Sequence, residues 1–107
     1  MFGKNNHQAD LEMFTIFDSK TASYEAPSIA INQHDIVRQV VNMFRDPAQA
    51  RNRFLINAED YSIFRIGTYD KKTGTIVPTK APEHVANMHD LRAVAEQAKP
   101  DLGIVPT

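Results

Sequence analysis

Four arginines and three aromatic residues are the side chains of this sequence best suited to meet a ligand of definite chemistry. Arg38 and Arg45 stand seven residues apart, which places them on one side of a helix, and Arg51 and Arg53 follow closely. Tyr61, Phe64 and Tyr69 lie in the next β-type run. Guanidinium groups beside exposed rings can hold single-stranded nucleic acid, the cations on phosphates and the rings under bases. On that reading the contacts are Arg38, Arg45, Arg51 and Arg53, with Tyr69 as a stacking platform. The plainer reading makes the arginines a solvated helix face and the aromatics part of the core.

The remaining constellations are weaker. His84 and His89 are five apart, whereas two histidines that share a metal on one helix face need a spacing of four. Residues 70–74, Asp-Lys-Lys-Thr-Gly, have the outline of a calcium loop but lack its later acidic positions and its closing Glu. No Gly-x-Ser-x-Gly, Gly-x-x-x-x-Gly-Lys or Gly-x-Gly-x-x-Gly occurs. Catalysis is therefore not expected, and neither a metal nor a cofactor is implied.

Composition narrows the classes further. The 107 residues suffice for one domain with a modest core. A formal net charge of −1 gives no global field to hold DNA or an anionic membrane. The absence of cysteine removes disulfides and thiol chemistry and suits a reducing compartment. No apolar run approaches the ~18 residues of a membrane span, and no apolar leader opens the chain.

The elements that must position these residues centre on a β-hairpin. Residues 61–69, Tyr-Ser-Ile-Phe-Arg-Ile-Gly-Thr-Tyr, form its first strand, 70–74 its turn, and 75–79 a shorter second strand. Gly74 supplies the positive φ such a turn needs, and Pro78 confines its strand to an edge. Upstream, residues 13–17 read as a strand and 24–31 as an extended edge broken by Pro27. Asn32 then caps a helix over 33–45, with Asp35 in its first turn and an apolar stripe of Ile36, Val37, Val40, Val41 and Phe44. That stripe is expected on either the Phe64/Ile66 or the Tyr61/Ile63 face of the hairpin. Alternation with Ser62 and Thr68 favours Phe64/Ile66. Residues 80–82 read as a break and 83–98 as a second helix, stopped by Lys99-Pro100. The tail carries a small apolar patch of Leu102, Ile104 and Val105.

Two blocks of this sequence resemble the small nonstructural proteins of gokushovirus-type microviruses, the fifth open reading frame product of these single-stranded DNA phages. The first is Met13-Phe14-Thr15-Ile16-Phe17-Asp18, followed by Tyr24 and a proline. The second is Glu59-Asp60-Tyr61-Ser62-Ile63-Phe64-Arg65-Ile66-Gly67-Thr68-Tyr69-Asp70 with Thr73-Gly74-Thr75-Ile76. The resemblance covers residues 13–82. It implies a nonstructural protein with a part in single-stranded DNA synthesis or packaging, and it carries over no catalytic residue. The near-neutral charge separates this chain from the very basic peptides that condense packaged DNA.

The sequence thus leads to an α+β fold: a small antiparallel sheet of three to four strands, a covering helix and a C-terminal helix. It divides into an N-terminal extension (1–12), a core domain (13–82) and a C-terminal helix and tail (83–107). The expected role is a noncatalytic phage accessory protein of the host cytoplasm, in contact with single-stranded DNA or with a phage replication or packaging protein. The rival is a protein-interaction or capsid-assembly module without DNA contact. A homodimer is expected, through sheet edges or the apolar tail.

Overall fold

The computed structural model describes residues 10–97. Five antiparallel strands, β1 (Asp10–Asp18), β2 (Ser23–Tyr24), β3 (Ser28–Ala30), β4 (Tyr61–Asp70) and β5 (Thr75–Asn87), form one sheet. β2 and β3 share one side of β1, so the order across the sheet is β2/β3, β1, β4, β5. Three α-helices, α1 (Gln33–Arg45), the single turn α2 (Arg53–Ile56) and α3 (Met88–Gln97), and two short 3-10 turns, Pro47–Gln49 and Ala58–Asp60, complete the described chain. The fold is α+β with a C-terminal helix, as expected.

Local chemistry explains the best-matched elements. The Asn32 side chain accepts the Asp35 N–H at 2.9 Å, and Asp35 accepts the Ile31 N–H at 3.0 Å. The first bond satisfies a donor that the helix start leaves open, and the second ties the incoming chain to the first turn. Arg38 and Gln39 also bind Asp35. Led by the Ile31 bond, these contacts hold the Asp35 carboxyl below its usual range. In the β4–β5 turn, Asp70 accepts the Gly74 N–H through its carbonyl and the Lys72 N–H through its side chain, each at 2.8 Å. Gly74 has φ +73°, where a Cβ would be strained.

The core lies between the sheet and the helices. Phe14, Ile63, Ala58 and Met88 are essentially inaccessible, and Val40, Val41, Phe44, Tyr61, Leu91 and Ala95 are buried with them. α1 packs on α3. Arg45 Nε donates to the Ala95 carbonyl at 3.3 Å, binding the two helices near the C-terminus of α3.

Four expectations need correction. The covered face is Tyr61/Ile63, not Phe64/Ile66: Ile63 is 1% exposed, whereas Phe64 and Ile66 are half-buried. The second hairpin strand is not short but runs thirteen residues, through both Pro78 and Pro82. It is the outermost strand, where a missing N–H breaks no ladder. Between the pairs Gly67↔Pro78 and Arg65↔Glu83 it bulges over residues 79–82, opposite Ile66 alone. Residues 83–87 are consequently strand, and the C-terminal helix begins only at Met88. Finally, β1 starts at Asp10, so Asp10, Leu11 and Glu12 belong to the sheet, opposite Asp70, Tyr69 and Thr68. Residues 1–9, the end of the second helix, Lys99-Pro100 and the apolar tail patch lie outside the described residues.

Candidate functional site: the open face of the sheet

The sequence-derived contact residues are scattered. Arg38 is exposed on α1 and paired with Asp35. Arg45 is exposed but holds α3. Arg51 is exposed in the connection before α2. Arg53 grips both carboxylate oxygens of Glu25, at 2.9 and 3.2 Å, and donates to the Tyr61 hydroxyl at 3.3 Å. Its guanidinium also lies 4.5 Å from the Phe54 ring centroid. The Glu25 bond, first among these, raises the already high pKa of Arg53. Arg53 thus ties α2 to the segment joining β2 and β3. Tyr69 is half-buried near the hairpin turn, eight residues along β4 from Tyr61. At ~3.4 Å per strand residue that is about 25 Å away. Arg53 and Tyr69 therefore do not share a surface.

Register brings other residues together. Residues directly opposite in an antiparallel pair point to the same face. On the face away from α1 and α3, one row is Tyr24, Phe17, Ser62 and Asn87. The next is Thr15, Phe64 and His84. Beyond them come Ile29, Met13, Gly67 and Pro78, then Leu11, Tyr69 and Ile76. No carboxylate, lysine or arginine occurs in these rows.

The rings at one end of this face touch one another. Phe17 lies 4.9 Å from Tyr24 and 6.2 Å from Phe64 between centroids, and Phe64 stands edge-on to His84 at 5.4 Å. Asn87 Oδ1 accepts the Ser62 hydroxyl at 2.8 Å and lies 2.9 Å from His84 Nε2. Thr15 is buried, its hydroxyl donating to the Glu25 carbonyl at 2.7 Å. The other end is mainly aliphatic around Tyr69 and includes Ile76 at 58% exposure and Ile29 at 49%. Tyr24 is also 49% exposed.

The opposite face carries the charges. Arg65 stands between Glu12 (3.5 Å) on β1 and Glu83 (2.9 Å) on β5. Asp10 and Asp70 are opposite each other in its last row. α1 and α3 cover the remainder. An apolar groove of about 240 Å³ opens there beside α1, lined by Ile16, Ile36, Met43, Phe54 and Met88 with Gln39 and Asn52 at hand. Its lining includes no carboxylate, histidine or cation. Among the described residues no cluster of histidines and carboxylates is suited to a metal ion, and no helix is long and apolar enough to cross a membrane.

The sequence reading missed this face because it assigned Phe64 to the core. The signal was present in the strand alternation: Leu11, Met13, Thr15 and Phe17 lie on one side of β1, and none is charged. Gly67 preserves the face's geometry. A Cβ on Gly67 would fall 2.7 Å from the Val77 carbonyl oxygen, so only glycine lets β4 and β5 approach there. A Cβ on Gly74 would stand 4.0 Å from the Tyr69 hydroxyl, so the positive φ rather than space calls for glycine there.

A family model described as "Phage ORF5 protein" matches residues 11–91, and the chain belongs to that family. Neither a curated protein nor a solved structure matches it. The match begins at the first open-face residue of β1 and ends within α3.

Proposed function

We propose that this phage ORF5 protein is a noncatalytic, nonstructural accessory protein of a gokushovirus-type phage. It acts in the host cytoplasm, at the synthesis or packaging of the single-stranded genome, and it works by docking through the open face of its sheet. One observation carries the docking reading: a four-strand face mainly of aromatic and aliphatic side chains, with Thr15, Ser62, His84 and Asn87 among them, and without a formal charge. Monomeric soluble domains place charge on such a face, and a contiguous apolar one marks a contact surface. Family membership supports the phage context, and the resemblance in the two sequence blocks supports the genome step.

The partner on this reading is a protein. Nonspecific binders of single strands pair their stacking rings with a positively charged groove. Here Arg38, Arg45, Arg53, Arg65 and Arg92 are occupied by carboxylates or backbone carbonyls. The cluster of Phe17, Tyr24 and Phe64 nevertheless favours a second reading, in which bases stack directly on the exposed Tyr24. Titration with fluorescent single-stranded DNA at about 50 mM salt separates the two, since phosphate contacts are still strong there. The protein-docking reading expects no saturable binding. Binding that Tyr24→Ala weakens by roughly 1–3 kcal/mol would establish the stacking reading instead.

A further inference from the structure

We infer that the occupant of the open face is a second copy of this chain, packed sheet against sheet about a twofold axis. The inference rests on the docking reading above and names its partner. A twofold interface must be complementary to itself, because the same patch meets its own image. Charged faces seldom meet that demand, since like charges fall together near the axis. This face meets it throughout: its rows contain no formal charge, while Glu12, Arg65 and Glu83 are sequestered on the opposite side. A partner that relied on ion pairs would find no counter-charge here, whereas a copy brings an equally uncharged surface.

Shape agrees with charge. The face extends about 20 Å along β1 from Leu11 to Phe17 and about 15–20 Å across four strands. Two such sheets stack roughly 10 Å apart, with the side chains of each filling gaps in the other. Gly67 leaves a low point at the centre of the rows, between Met13 and Pro78. The footprint is small beside the ~800 Å² that each partner gives to a standard interface. The dimer is therefore a reversible one that dissociates at micromolar concentrations.

Neighbouring residues on opposite faces of β5 supply the test. Ile76 (58% exposed) lies in the open-face row with Leu11 and Tyr69, whereas Val77 (59% exposed) lies in the opposite row with Glu12 and Thr68. Sedimentation equilibrium of the full chain should show a monomer–dimer equilibrium. Ile76→Lys and Tyr24→Lys, at opposite ends of the face, should each weaken it by about 10-fold or more, because each buries an unpaired charge. Val77→Lys should leave it unchanged. All three positions are exposed, and circular dichroism checks that each variant keeps the fold. A wild-type monomer up to about 1 mM overturns the inference. A dimer that tolerates both open-face lysines, or one that Val77→Lys breaks, overturns it too, placing the contact at an edge or on another surface. The docking reading fails separately: it fails if the open-face lysines leave phage production intact, whatever the oligomeric state.

Discussion

The two faces of this sheet are built from similar residues and meet different surroundings. Ile63 and Phe64 are adjacent, both large and apolar, yet Ile63 is sealed beneath the helices while Phe64 stands among half-exposed rings. Charge distinguishes the faces further. The helix-covered side gathers its ions, Arg65 with Glu12 and Glu83, beyond the reach of the helices. The open side carries no formal charge from Tyr24 to Ile76. In a strand of period two, the apolar residues of one face belong to folding. When the other face is largely uncharged and apolar as well, packing among the described residues does not account for it.

Truncation on the two faces is the sharpest way to break this comparison. Ile63→Ala should destabilise by about 2–5 kcal/mol, since it opens a cavity beside Phe14 and Val40. Phe64→Ala should cost only about 1 kcal/mol, because its ring surrenders part of its surface on folding. Urea denaturation measures both, and equal losses would mean that the open face is also core. Phe44→Ala, on the helix side, belongs with Ile63 at roughly 3–5 kcal/mol.

Gly67 tests whether the rows hold as drawn. Gly67→Ala drives a methyl into the Val77 carbonyl and should cost about 1–3 kcal/mol. Amide exchange in the variant should quicken from residue 67 towards the turn and stay slow near Ile63. A loss spread evenly over the sheet would show that the bulge does not separate the hairpin tip from the core.

Acid should weaken the helix side and the turn. Asp35, Glu59 and Asp70 are held below their ordinary pKa values, chiefly by the Ile31 N–H, the Arg92 guanidinium and the Lys72 N–H respectively. A depressed carboxyl gives stability that is complete above the unfolded-state value and is lost as pH falls through the folded-state value. Thermal midpoints should therefore hold steady above about pH 5 and decline below about pH 4. Asp35→Asn should flatten part of that decline.

Much of the fold was legible because local chemistry and tertiary structure agree. Asn32 and Asp35 marked the start of α1, Asp70 and Gly74 the turn, and Pro78 an edge strand. The inward face was not legible, since Tyr61/Ile63 and Phe64/Ile66 are both apolar pairs and only the packing of α1 decides between them. The length of β5 was hidden by its prolines, which break an interior strand but are harmless at an outer edge. The start of α3 had a signal in Asn87, a residue type favoured just before a helix, although here its side chain turns to Ser62 and His84. The partners of the arginines were not legible for a physical reason: spacing reveals a shared helix side, but not the Glu25 or Ala95 oxygens that bind Arg53 and Arg45.

The central claim is that the charge-free face is a working surface. Its most direct test is particle production by a phage genome that carries one lysine on β5. Ile76→Lys places the charge on the open face, and Val77→Lys places the same charge one residue away on the other. Each side chain is already more than half exposed, so neither should unfold the protein. The account predicts that Ile76→Lys sharply reduces the yield of infectious particles while Val77→Lys leaves it near the wild-type level. Equal yields from the two variants would contradict it.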